Sequence, residues 1–247
     1  TQGTTVFSSY LDVGVFAGAN SSFQMTGGNA TFSANSFPNA LGFGGTNSMN
    51  VSGGVLNFTG AFTGGGGPDS LWLTNDGNGT FNLSGGTVNI AQELAFSRDG
   101  GTGMLNITGG VFNVQGATGT LFNGMNNGAS VGAINLGVGN GVFEETASST
   151  INLGTNFKVN FATGSNGVFS LLGQTAAGYD ALITAGDFKV AGSTDTNIAD
   201  YAYTLSGGQG ILQLATAGVP EPSAWAAVLI AAGVGGVALR RRRRYIL

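Results

Sequence analysis

Apolar and polar residues alternate along this chain in short stretches that are copies of one another. Phe81, Leu83, Val88 and Ile90 fall on one face of a two-residue period, and Asn82, Ser84 and Asn89 fall on the other. A period of two marks a strand with one buried face, because successive side chains leave a strand on opposite sides. Four segments superimpose without a gap: Phe23 to Gly28 running on to Thr31-Phe32, Met49 to Gly54 to Asn57-Phe58, Phe81 to Gly86 to Asn89-Ile90, and Leu105 to Gly110 to Asn113-Val114. A weaker fifth copy runs from Ile134 to Phe143. The first glycines of the pairs lie 26, 32 and 24 residues apart. Self-similarity at that spacing predicts a solenoid.

Within a copy the Gly-Gly pair predicts a corner, where positive φ or close backbone approach costs glycine little. A further short strand precedes the next copy, Leu71-Trp72-Leu73 and then Leu94-Ala95-Phe96, each followed by a turn-rich stretch. Three strands and three turns per copy describe one coil of a parallel β-helix. Coils stacked about 4.8 Å apart would place like residues above like, with aliphatic and aromatic residues inside and Gln24, Asn50, Asn82 and Asn106 outside. No coil buries its apolar face alone; its neighbours must. The competing architecture is an antiparallel sandwich, since Gly-Gly also makes hairpin turns.

From Ile151 to Ala217 the repeat fades into short alternations, and most later acidic residues and Tyr179, Tyr201 and Tyr203 gather there. The expected organisation is an all-β chain: β-solenoid repeats over 1–145, a C-terminal β cap or small β-domain over 146–217, and a tail over 218–247. A cap is expected because an open coil end is an unprotected sheet edge.

The tail reads Val219-Pro220-Glu221-Pro222, then an apolar run from Ala224 to Leu239, then Arg240, Arg241, Arg242, Arg243 and Arg244. The prolines hold their segment extended. The sixteen uncharged residues of the run make a helix of roughly 24 Å, a little short of a hydrocarbon core of about 30 Å. Snorkelling arginine stems lengthen it, and Trp225 and Tyr245 stand where interfacial aromatics lie. The arginine block predicts a single transmembrane helix with the preceding chain outside. This three-part order resembles a PEP-CTERM sorting signal, on Val219 to Pro222, the helix and Arg240 to Arg244; Tyr245-Ile246-Leu247 extends beyond that pattern. The resemblance implies a bacterial surface protein, and a membrane-embedded exosortase-type transpeptidase as the partner that cuts near Pro-Glu-Pro. It implies inner-membrane anchoring through Ala224–Leu239 and then release to the cell surface or extracellular matrix. The alternative is a plain tail anchor that is never cleaved. The repeats over about 10 to 145 are likewise similar to the autotransporter-like Gly-Gly repeats of surface proteins that carry such tails.

Composition narrows the chemistry. The chain has 247 residues, 46 of them glycine, and 8% are charged, which suits short strands joined by tight turns. Before Pro220 eleven acidic residues face three basic ones (Arg98, Lys158 and Lys189), so this part carries eleven less three, or eight, net negative charges. That argues against nucleic-acid binding, which needs phosphate-neutralising cations. Cysteine and histidine are absent, so there is no disulfide or thiol chemistry and no imidazole base or metal ligand. No apolar, positively flanked leader stands at Thr1; an exported protein is expected to have one that was removed or lies outside this sequence.

Polysaccharide cleavage on a β-helix would need paired carboxylates in a groove. Glu144 and Glu145 are adjacent and point to opposite faces of a strand. Asp76 and Asp99 stand one coil apart, but each precedes a glycine in a turn whose geometry explains it. Calcium needs six to eight oxygens, and no matching loop recurs. No catalytic residue, metal or cofactor is expected. Trp72, out of phase with Leu71 and Leu73, is a candidate for stacking on a sugar, with partly buried packing as the alternative. Asn82 and Asn106, on the polar rank, are candidate glycan contacts, with a solvated stack of amides as the alternative. The expected function is that of a non-catalytic structural or adhesive surface protein. A carbohydrate-binding module, with exopolysaccharide as partner, comes next, and a β-helix lyase or hydrolase after it.

Overall fold

A computed structural model describes residues 4–9, 11–14, 16–33, 39–61, 69–116, 121–123, 129–146, 151–152 and 156–215. After β1 (Thr4–Phe7) the chain repeats a three-strand coil. The coils are β2 (Asn20–Met25), β3 (Asn29–Phe32) and β4 (Asn39–Ala40); β5 (Thr46–Val51), β6 (Val55–Phe58) and β7 (Asp69–Trp72); then β8 (Asn78–Leu83), β9 (Thr87–Ile90) and β10 (Glu93–Ser97). They continue with β11 (Thr102–Ile107), β12 (Val111–Val114) and β13 (Leu121–Asn123), and with β14 (Val131–Leu136), β15 (Val142–Glu145) and β16 (Ile151–Asn152). The last coil has β17 (Phe157–Phe161) and β18 (Val168–Leu172). Corresponding strands pair in parallel, in register on the first two faces and with local shifts where β10 meets β7 and β13 on the third, giving three faces: β2-β5-β8-β11-β14-β17, β1-β3-β6-β9-β12-β15-β18 and β4-β7-β10-β13-β16. The result is a parallel β-solenoid of about six coils. The sandwich alternative fails, because the repeated strands pair in parallel.

The interior is a set of ranks. Met25, Val51, Leu83, Ile107 and Leu136 oppose one another in successive coils of the first face. On the second face Leu56, Val88, Phe112, Phe143 and Phe169 do the same. All of these are buried in one continuous core. Aromatic rings inside it stack coil on coil: Phe112 lies 6.1 Å from Phe143, which lies 5.3 Å from Phe169.

The Gly-Gly corner meets two separate demands. The second glycine is left-handed, with φ of +85° at Gly54 and Gly86 and +79° at Gly110. The first carries no positive φ but has no room: a Cβ on Gly85 would lie 2.7 Å from the Ser52 carbonyl oxygen, and one on Gly109 2.6 Å from that of Ser84. Backbone stacks on backbone at this corner, and only glycine permits it.

Parallel pairing runs past the point where the sequence repeat fades, since β14 pairs β17 and β15 pairs β18 in parallel. Antiparallel strands follow. β19 (Phe188–Val190) pairs β20 (Ser193–Thr194), and β21 (Tyr201–Ser206) pairs β22 (Gln209–Leu214), which lies against β18. An α-helix, α1 (Ala176–Thr184), stands between β18 and β19; the alternations read from sequence did not anticipate it. The Thr175 hydroxyl caps it by accepting from Gly178 N–H at 3.1 Å, and Tyr179 and Ile183, one turn apart, are buried. The expected transmembrane helix and sorting signal (218–247) lie outside the described residues. Among the described residues no helix is long and apolar enough to cross a membrane.

Candidate functional site

On the outward side of the first face, one asparagine per coil builds a ladder. Asn82 Nδ2 donates to Asn50 Oδ1 at 2.8 Å, Asn106 to Asn82 at 2.8 Å, Asn135 to Asn106 at 2.7 Å, and Asn160 to Asn135 at 3.4 Å. At the far end Gly192 N–H donates to Asn160 Oδ1 at 3.0 Å. Alternation puts these side chains outward, because Phe81 and Leu83 flank Asn82 and point inward. Asparagine suits the position since its amide both donates and accepts at a reach that matches the coil spacing. From Asn82 to Asn160 each ladder amide uses one N–H and one lone pair along the axis and keeps one of each for an outside partner. Hydroxyls stand on both sides: Ser48 and Thr80 on the strands, and exposed Ser52, Ser84 and Thr108 at the corner. The first five strands of this face carry no charged residue; Lys158 on β17 pairs with Asp187 at 3.1 Å.

The second face repeats the device. Asn89 Nδ2 donates to Asn57 Oδ1 at 2.8 Å, and Asn57 Nδ2 to Thr31 Oγ1 at 3.2 Å. Asn82 and Asn106, singled out from sequence, are thus neighbours in one half-buried array. Trp72 is not near it. It is 3% exposed, packed with Ala40, Ala95 and Phe43 on the third face, and the Arg98 guanidinium carbon lies 4.4 Å from its ring centroid. The expectation of an exposed ring is corrected: β10 is buried along its whole length, so facing away from the main core on this face does not mean facing water.

The acidic candidates separate as well. Asp99 N–H donates to the Asn75 carbonyl at 2.7 Å, which stacks the two turns; Asp76 is exposed and Asp99 half-buried. Glu144 faces outward, whereas Glu145 sits inside the column at 1% exposure, in register between Val114 and Leu171. Glu93 is buried too, at 3%. Neither burial was anticipated, although for Glu145 the signal was present: Phe143 faces in, so Glu145 must. Among the described residues no group of three acidic, Cys or His side chains is placed to hold a metal ion. Desolvation raises the Asp12 carboxyl to about 6. Burial, and then the neighbouring Tyr203, hold the Tyr179 phenol well above its ordinary pKa; its hydroxyl donates to the Gly210 carbonyl at 2.8 Å. Val219 to Pro222 and Arg240 to Arg244 lie outside the described residues.

The arrangement offers neutral hydrogen-bond donors and acceptors at regular intervals, which suits water or an uncharged hydroxylated polymer. No protein-family model, curated protein or solved structure matches this chain.

Proposed function

We propose that the chain is an exported, non-catalytic solenoid of a bacterial surface or extracellular matrix, with a structural or adhesive role, delivered through its C-terminal signal. The observation that carries this reading is the unbroken coil register, rank on rank from β2 to β17. Its repeats build a regular body in which the stacked backbone and the amide ladders occupy the conspicuous positions. In this reading an exosortase-type transpeptidase acts near Val219-Pro220-Glu221-Pro222, with Ala224–Leu239 in the membrane and Arg240–Arg244 on its cytoplasmic side. Mass spectrometry of the protein from its own cells tests it. A surface or matrix form ending near Pro222 supports the proposal, and one that keeps all five arginines sinks the sorting step.

A second reading, a carbohydrate-binding module for exopolysaccharide, is favoured by the spare amide groups of Asn82 and Asn106. A pull-down on neutral glycans with the full chain and an Asn82→Ala/Asn106→Ala variant separates the two. Retention that the variant loses favours binding. Absence of any retained glycan leaves the structural role.

A further inference from the structure

The outward side of the first face carries its polar groups in ranks that run along the solenoid axis. Ser48, Thr80, Met104 and Ala133 stand in register in one rank, and Asn50, Asn82, Asn106 and Asn135 in the next. The corner residues after the strands continue the grid. Ser84 N–H donates to the Val51 carbonyl at 2.9 Å, Thr108 N–H to that of Leu83 at 2.9 Å, and Gly137 N–H to that of Ile107 at 2.9 Å. Exposed Ser52, Ser84 and Thr108 therefore form a rank of hydroxyls one coil apart, with exposed Thr26 before them and Gly137 ending it.

Between the amide rank and the hydroxyl rank runs a straight, uncharged strip. Its two sides are about 7 Å apart, two residues along a strand, which is wide enough for one sugar ring. Each coil brings an amide with spare hydrogen-bonding capacity to one side and a hydroxyl to the other. On the far side of the amides the hydroxyls stop at Thr80, since Met104 and Ala133 follow. The second face offers less. Its rank of Asn57, Asn89 and Asn113 runs into Glu144, and Val55, Val111 and Val142 lie beside it.

Resting on the carbohydrate-binding reading, we propose that this strip holds a neutral, extended, equatorially linked polysaccharide along the solenoid axis, one sugar to a coil. Coils about 4.8 Å apart nearly match the advance per residue of such a chain, so its hydroxyls meet successive amides in step. An axially linked glucan coils, and leaves a straight strip after a residue or two. Charge selects against acidic polymers. The first five strands of the face offer no cation to a carboxylate, and the eight net negative charges before Pro220 repel one. Hydroxyls accompany the amide rank over the four coils from Thr26 to Thr108, which sets the length of ligand that the strip takes.

Fluorescence anisotropy of labelled oligosaccharides tests this with the full chain, in a detergent that has no sugar headgroup. Cellotetraose is expected to bind at least about tenfold more tightly than cellobiose, and cellohexaose within about twofold of cellotetraose. Maltohexaose has the same sugars on a coiled backbone, and hexagalacturonate adds a carboxylate to each residue. Both are expected to bind at least about tenfold more weakly than cellohexaose. Ser84→Ala/Thr108→Val removes two hydroxyls outside the amide ladder. It is expected to weaken cellotetraose about fivefold or more and to leave the urea midpoint in place. Thr87→Val, in register with Val55 and Val111 on the second face, is expected to change nothing. The oligosaccharide comparison decides the question even if the double variant fails to fold. Cellobiose that binds as tightly as cellotetraose, maltohexaose or hexagalacturonate that matches cellohexaose, or a folded double variant that binds like the wild type would each overturn this alignment and leave carbohydrate binding standing. No binding of any oligosaccharide would overturn both.

Discussion

Gly109 and Gly110 are neighbours with different reasons to be glycine. Gly110 needs a left-handed backbone, and Gly109 needs the absence of a Cβ 2.6 Å from the Ser84 oxygen. Gly27 opens the same motif one end away, with nothing within 4 Å of its would-be Cβ. Gly109→Ala and Gly110→Ala are therefore each expected to lower stability by about 1–3 kcal/mol, while Gly27→Ala stays within about 0.5 kcal/mol; urea midpoints measure all three. Asp12 gives a pH dependence of defined sign. Its folded pKa of about 6 exceeds the ordinary carboxyl value of 3.8, so the folded state holds the proton more tightly. The benefit is complete below about pH 4 and is lost as pH rises through about 6. Urea midpoints of the wild type are expected to fall across that window more than those of Asp12→Asn.

At the level of elements, the ladder is a chain of joints and Asn106 occupies two of them, donating to Asn82 and accepting from Asn135. Asn106→Ala is expected to cost about 1–3 kcal/mol, at about 0.5–1.5 kcal/mol per net hydrogen bond. Gln24→Ala, at the exposed end of the rank, is expected to change the midpoint little. The first and second faces were legible in the sequence because each is half-buried, and half-burial writes itself as alternation. The third face was only partly legible. Its strands were visible as Leu71-Trp72-Leu73 and Leu94-Ala95-Phe96, but burial on both sides erases the polar half of the pattern, which is why the alternation alone left Trp72 open between exposure and packing. Helix α1 was missed for another reason. It has nine residues with Gly178 in its first turn, and its main signal was the one-turn spacing of Tyr179 and Ile183. Of the candidate site, Asn82 and Asn106 were legible as a rank, but the direction of their bonds depends on side-chain geometry that no spacing encodes.

Across the whole molecule, no disulfide contributes, and what holds the described residues is coil upon coil. Stability in such an array accumulates from neighbour contacts, so the ends are its weakest part. Hydrogen exchange is expected to be fastest in β1 and β2 and slowest around Phe81, Leu105 and Ile134; uniform protection along the chain would contradict this. The ladder adds a direction to the array. Each amide gives its proton toward the N-terminal side, and Gly192 closes the other extremity. Identical joints of fixed polarity make the body modular in length. An in-frame duplication of residues 81–104 would meet an Asn50-like acceptor on one side and an Asn106-like donor on the other. Descendants of such a gene can therefore grow or shrink by whole coils while both termini keep their fit.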